Sequence, residues 1–397
     1  MGTTTLPVKR KPKSRFGCRN CKLRKLKCDE LKPSCRRCQL YGVLCNFAFN
    51  IPDLQPLSEQ RDKPHATVVT WSNAIPSPRP GISNAIWALD GIAPFELDLK
   101  DQALFDRFRW RTGRELEAPA IARVWTSYML EASFTSQFLM HGILALTSVH
   151  DRYLGVTPPH HRSLRESYHW AQCTILFNEW LRPPIREEKK DPVWGTASIL
   201  GILAFASIHA RDYREAWPLK TPEDSDLEWV RLGHSKMKLW HIVNPLRSGS
   251  VFRFMAETYL RMQEPIPTKG IGSIPPDLAQ LCGITEDSSI DDGNPYFTFV
   301  HGLARLLRIP KGSVSLGAAM GASAAMRGEL NALLAKKDPV ALLLLALWYN
   351  KARESKWWID FRARYELPAI CVYLQRQHAD KAAVQSLIPW EDVYPLM

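Results

Sequence analysis

Six cysteines constrain this chain more tightly than anything else in it. They stand at Cys18, Cys21, Cys28, Cys35, Cys38 and Cys45, spaced C-x2-C-x6-C-x6-C-x2-C-x6-C. Adding seventeen to each of the first three positions gives the last three, so the block is an internal two-fold repeat. A segment running only from 18 to 45 cannot bury a hydrophobic core, and its folding free energy must come from another source. Zinc provides one. Two tetrahedral zinc ions need eight ligand positions, which six thiolates fill only if two of them bridge. The repeat symmetry nominates the equivalent Cys18 and Cys35 as the bridges. Metal sites of this kind contribute on the order of 10–16 kcal/mol. A disulfide framework needs an oxidising compartment, and Met1 to Phe16 lacks the apolar core of a secretory signal. Two separate four-ligand fingers would need two more Cys or His, and no His precedes His65. The expectation is two Zn2+ per chain.

Charge is distributed as unevenly as cysteine. The net charge is +12, yet residues 1–50 hold thirteen Lys or Arg against Asp29 and Glu30 alone, while the remainder holds 39 basic and 38 acidic side chains. A nearly neutral body thus carries one concentrated cationic arm. Such an arm suits a polyanion, because each phosphate neutralised releases condensed counterions. Lys9-Arg10-Lys11-Pro12-Lys13 reads as a nuclear-import signal or a phosphate-binding arm. Position six is Leu6, so Gly2 carries no myristoylation signal. The uncharged stretch from Pro192 to Ala210 contains Gly195, Thr196, Ser198, Ser207 and His209, and reads as a buried helix rather than a membrane span.

The two halves of the repeat differ in what they display. After Cys18 the chain runs Arg19-Asn20-Cys21-Lys22-Leu23-Arg24-Lys25-Leu26-Lys27; after Cys35 it runs Arg36-Arg37-Cys38-Gln39-Leu40-Tyr41-Gly42-Val43-Leu44. A cationic first helix fits a major groove, and a more apolar second helix fits a brace behind it. Residues 18–45 resemble the binuclear six-cysteine zinc cluster of fungal transcription factors. The resemblance implies a nuclear protein that binds double-stranded DNA. It implies base reading by Lys25 with help from Arg24, and phosphate contacts at Lys22 and Lys27; Arg19 belongs to the same cationic set. The Lys32-Pro33 pair stands in the inter-half loop, where family members carry a turning proline. Many members follow the cluster with a heptad coiled coil. Asn46 to Ser83 has no such repeat, so a single cluster binding alone, or dimerisation through the C-terminal region, is expected instead.

Four segments follow: a basic arm (1–17), the cluster (18–45), a proline-rich linker (46–84) and a regulatory body (85–397). Pro52, Pro56, Pro64, Pro76, Pro78 and Pro80 forbid a continuous helix in the linker. Beyond it, apolar spacings of three and four predict helices over Ser136–Tyr153, His161–Leu181, Leu232–Ile242, Phe252–Met262, Tyr296–Leu307 and Pro339–Asn350. Ser136 or Thr135 is placed to cap the first of these. Thr67 to Trp71 is the one short β-branched run. The expected fold is therefore a small zinc cluster plus a large all-α body of about ten helices. Loops are expected near Thr157–His160, Pro183–Pro192 and Ile309–Gly317. Phe138-Leu139-Met140-His141-Gly142-Ile143-Leu144-Ala145-Leu146, followed by Ser148 and His150, is similar to a motif in regulators of the sterol-uptake-control type. Trp125, Trp357-Trp358 and Trp390 sit in similar surroundings. That likeness implies a helical domain that binds a lipid-like ligand and dimerises, with sterol or secondary-metabolite genes as targets.

Other features read as structure. His141 and His150 are nine apart, off metal spacing, and read as satisfied core histidines; Cys173, Cys282 and Cys371 read as buried small hydrophobes. The glycine-rich run from Lys311 to Gly321 lacks the order of a phosphate loop and reads as a helix start or tight turn. Glu286 to Asp292 mixes acids with the nearby Tyr296-Phe297 like an activation segment, although an exposed loop is the simpler reading. No H-E-x-x-H, G-x-S-x-G or dinucleotide fingerprint occurs, so no enzyme is expected. The alternative function is a DNA-bound adaptor whose helical body only docks other proteins. It would show an exposed apolar patch in place of a ligand cavity.

Overall fold

The computed structural model describes residues 16–32, 34–47, 53–54, 97–118, 121–181, 184–223, 225–326 and 328–397. Among them every regular element is helical, and an isolated bridge pairs Lys269 with Ser289. The basic run Lys9–Lys13, Pro33, the Thr67–Trp71 run and most of the proline-rich linker lie outside the described residues.

The body is built around the Gln137–Tyr153 helix. All of its residues except Tyr153 are buried, and its buried charges are matched, Arg152 by Glu166 and Asp151 by Arg107 and Arg111. Leu164–Trp180, Lys190–Phe205 and Leu99–Arg107 pack around it. Ser136 stands at its N-cap in extended conformation but makes no side-chain cap; its hydroxyl instead meets Lys189 Nζ at 3.3 Å. A second layer pairs Pro339–Ala352 with Trp357–Gln377. The first of these starts cleanly because Pro339 sits in the first turn and Asp338 accepts from the N–H groups of Val340 (3.0 Å) and Ala341 (2.9 Å).

The helices expected from periodicity appear as Gln137–Tyr153, Leu164–Trp180, Glu228–Val243, Ala256–Met262, Phe297–Leu307 and Pro339–Ala352. Two expected loops are shorter than their sequence suggests. Lys190–Phe205 begins before Pro192, which is tolerated because first-turn N–H groups have no intrahelical partner. Gly312 turns the chain with φ +78°, but Gly317 and Gly321 lie inside the Leu316–Ser323 helix. A Cβ at Gly317 would stand 2.8 Å from Thr258 O, and one at Gly321 would stand 2.9 Å from Arg261 O. These glycines let Leu316–Ser323 press against Ala256–Met262, a packing role rather than a turn. The Glu286–Asp292 stretch is an exposed loop that ends in a short 3-10 turn capped by Ser289. No helix of the described residues is long and apolar enough to cross a membrane.

Candidate zinc centre and nucleic-acid interface

The repeat in the sequence becomes a repeat in the backbone. Cys18 caps the helix Arg19–Leu23, its sulfur accepting from Cys21 N–H at 3.4 Å. Cys35 caps Arg36–Tyr41 in the same way, accepting from Cys38 N–H at 3.3 Å. Both helices then close through a left-handed residue, Lys25 (φ 55°) in the first half and Gly42 (φ 80°) in the second. The N–H groups of Leu26 and Val43 reach back to the carbonyls of Cys21 (2.9 Å) and Cys38 (3.1 Å). Seventeen residues apart, each closing bond has its twin.

All six thiols converge. Cys18, Cys21, Cys28 and Cys35 form one four-sulfur group, Cys18, Cys35, Cys38 and Cys45 form another, and within each the ligand atoms lie within 4.8 Å of one another. Cys18 and Cys35 belong to both groups, the sharing that two zinc ions on six thiolates require. Sulfur separations are 3.7 Å (Cys18–Cys35), 3.5 Å (Cys18–Cys38), 3.7 Å (Cys21–Cys35) and 3.9 Å (Cys28–Cys18). Sulfurs about 2.3 Å from a common tetrahedral zinc would stand about 3.8 Å apart, and disulfide sulfurs only about 2.0 Å. The residues therefore fit two zinc ions. Burial, reinforced by the neighbouring thiols, pushes the thiols of Cys21 and Cys38 far up and that of Cys45 to about 12. Zinc supplies the positive charge that keeps such thiols ionised.

The cations sort into two kinds. Lys22, Lys25 and Lys27 are exposed, and none forms an ion pair among the described residues. Arg19 and Arg24 are engaged within the chain. Arg19 pairs with Asp53 at 2.7 Å while its side chain remains 60% exposed. Arg24 lies over the Tyr41 ring at 4.0 Å and donates to the carbonyls of Asn20 (3.3 Å) and Arg37 (3.3 Å). Its guanidinium ties the two halves together.

Several working residues carry no obvious sequence signal. Buried Asn20 is a hub: its N–H donates to Asn46 Oδ1 (2.7 Å), its Nδ2 to Leu44 O (2.8 Å), and its Oδ1 accepts from Leu54 N–H (2.8 Å). Asn46 in turn donates to Asp53 (2.8 Å), so the strap after Cys45 is fastened to the first helix. The second half is seated against the helical body. Arg111 donates to Tyr41 O at 3.0 Å, Arg107 and Arg111 both pair with buried Asp151, and Val156 and Leu154 join the apolar contacts around the cysteines. Of the two histidines read as core residues, His141 bonds His169 (2.8 Å), which bonds Asp101 (3.0 Å), and burial lowers its pKa to about 3. His150 bonds Thr112 (3.0 Å) and stacks on Trp357 at 4.3 Å. Cys173, Cys282 and Cys371 are buried.

Residues 16–52 match the fungal Zn(2)-Cys(6) binuclear cluster domain. A Zn(2)-C6 fungal-type transcription factor of Gibberella zeae is 26% identical over 257 residues, covering 53% of this chain and 50% of the relative. Another from Aspergillus fumigatus is 24% identical over 253 residues, covering 60% and 62%. The chain thus spans between half and about three-fifths of the length of these relatives, and the matched stretches are far longer than the cysteine block. Sterol uptake control protein 2 of Saccharomyces cerevisiae is 49% identical over 47 residues in the N-terminal region, covering 11% of this chain and 5% of that protein. With two four-sulfur groups sharing two cysteines, residues 16–52 form a fungal Zn(2)-Cys(6) binuclear cluster domain, and the chain as a whole is similar to fungal transcription factors that carry the Zn(2)-C6 name.

Proposed function

We propose that this chain is a zinc-dependent, sequence-specific regulator of RNA polymerase II genes, whose first cluster half enters the major groove of double-stranded DNA. One observation carries the reading: Lys22, Lys25 and Lys27 project unpaired from one half, while the other half turns toward the protein's own body. Lys25 donates to guanine O6 and N7, and its left-handed backbone, unusual for a side chain with a Cβ, holds it at the helix end where a base edge can be met. Lys22 and Lys27 neutralise phosphates, and Arg19 adds charge at the same edge. Arg24 contributes from inside, keeping the two helices in register through Tyr41. The family carries a nuclear location with it, and Lys9–Lys13 suits import. The helical body regulates this activity by taking up a lipid-like ligand or by pairing with a second copy, with sterol or secondary-metabolite genes as targets.

Binding of the zinc-loaded full chain to duplexes varied at each position tests the assignment. Lys25→Ala is expected to lose about 1–3 kcal/mol of discrimination between bases. Lys22→Ala is expected to weaken all sequences alike and lower the salt slope by about one. If the two variants behave identically, the division between reading and anchoring is wrong.

A further inference from the structure

The helical body contains a half-open cleft of about 850 Å³, within the size range of small-molecule sites. Its walls come from distant parts of the chain: the 117–128 segment, the Ala256–Met262 helix, the 309–317 turn and the start of Trp357–Gln377. Ile121, Val124, Ile309 and Leu316 give it an apolar floor. Its charges are unevenly matched. Arg261 and Glu257 neutralise each other at 3.0 Å. Lys356, half-buried, and Arg123, exposed, form no ion pair among the described residues. Glu117 also lines the cleft although it is only 7% exposed, and it too has no ion-pair partner among the described residues.

An unpaired carboxylate in such a place is costly, and unpaired cations beside it set the sign of what the cleft accepts. Among the charges that line the cleft, with Arg261 and Glu257 cancelled, Lys356 and Arg123 outweigh Glu117; outside the lining, Lys236 acts on Glu117 and Glu115 acts on Lys356. A cationic guest would meet net repulsion. An anionic guest with an apolar tail would supply the missing partner to Lys356 and cover the apolar floor.

We propose that this cleft binds an amphipathic organic anion, its head group held by Lys356 and Arg123 beside the buried Glu117 carboxyl, its tail lying on Ile121, Val124, Ile309 and Leu316. This deepens the regulatory reading of the helical body and rests on it. Burial raises the Glu117 pKa to about 7, with Lys356, Lys236 and the Ala118 N–H opposing that rise. Glu115 faces Lys356 from the same segment. Below pH 7 Glu117 is neutral and donates to the anion; above it, Glu117 is charged and repels the anion. Affinity therefore falls as pH rises, and binding takes up a proton.

Two permanently charged probes with the same tail, 1-decanesulfonate and decyltrimethylammonium, test this by calorimetry on the zinc-loaded full chain below their micelle concentrations. The sulfonate is expected to bind and the ammonium not to. Sulfonate affinity is expected to fall about tenfold from pH 6 to pH 8. Lys356→Met should cost about tenfold and Arg123→Met about threefold. Glu117→Gln, which keeps a donor but cannot ionise, should hold the pH 6 affinity at pH 8 and abolish the slope. Equal or tighter binding of the ammonium, or an unchanged Lys356→Met, overturns the proposal. Duplex DNA affinity measured with and without the sulfonate separates the two claims: charge-dependent binding with no change in DNA affinity keeps the site and sinks its regulatory role.

Discussion

Cys18–Cys28 and Cys35–Cys45 trace the same path through two capping cysteines, two short helices and two left-handed closing residues. Between the ligands of each half only Arg19/Arg36 and Leu23/Leu40 coincide, and the other positions diverge. The left-handed position holds Lys25 in one half and Gly42 in the other. The first helix region leaves Lys22, Lys25 and Lys27 exposed, whereas Tyr41 and Gly42 lie under Arg111 and Arg107 of the helical body. Metal chemistry fixes the common frame, and the residues between the ligands decide which half faces outward and which is anchored. The comparison also explains why the cationic pattern alone overcounts the outward face. Arg24 belongs by composition to the first half's charge, but it stacks on the second half's Tyr41 and braces the frame.

The ligand positions offer the most forceful way to break the symmetry. Cys18 and Cys35 belong to both four-sulfur groups, while Cys28 and Cys45 each belong to one. Cys18→Ala should leave neither group complete and release both zinc ions, removing on the order of 10 kcal/mol of folding free energy. Cys28→Ala leaves the other group intact and should retain one ion. Native mass spectrometry of the full chain counts the zinc directly. Equal zinc content in the two variants would mean that Cys18 does not bridge.

Much of this architecture can be read along the chain because it is local. The cysteine spacing states both the metal count and the repeat, and apolar spacing marks helices such as Gln137–Tyr153 to within a residue or two. What the chain conceals is held by partners far away in sequence. Asn20 looks like any polar residue between two cysteines, and its importance appears only when Leu44, Asn46 and Leu54 close around it. The seat of the cluster on Arg107 and Arg111 spans some seventy residues, and no motif near those arginines marks it. The Trp357–Gln377 helix contains Pro368, which reads as a breaker; burial of both flanks holds the helix through it. The cleft is assembled from four separated segments and leaves no motif in any of them.

Gly42 is the point where the second half can be prised from the body. A Cβ there would stand 2.3 Å from Arg107 Cδ, and Arg107 cannot easily withdraw because its Nε and Nη2 are both pinned to Asp151 at 3.1 Å. The φ of 80° adds backbone strain for any residue other than glycine. Gly42→Ala should destabilise the seated state by about 1–3 kcal/mol. Hydrogen exchange at Tyr41–Val43 should quicken while zinc content and exchange around Cys21 stay as before. If both halves loosen together, the anchoring is not particular to the second half.

The equivalent position in the first half should respond with the opposite sign. Lys25 holds φ 55°, where a Cβ costs about 1 kcal/mol or more, and its side chain forms no ion pair among the described residues that would offset the cost. Glycine relieves that strain but adds freedom to the unfolded chain, so Lys25→Gly should stabilise the zinc-loaded cluster by a net of about 0.5–1 kcal/mol. The same substitution should lose as much base discrimination as Lys25→Ala, because neither variant has an ammonium. Thermal melting and duplex binding on one preparation would show stability rising as recognition falls. That pairing would mean the lysine is kept at a strained position for what it touches outside the chain. A fall in stability would instead show that Lys25 supports the fold, and the functional contrast between Lys25 and Gly42 would lose its basis.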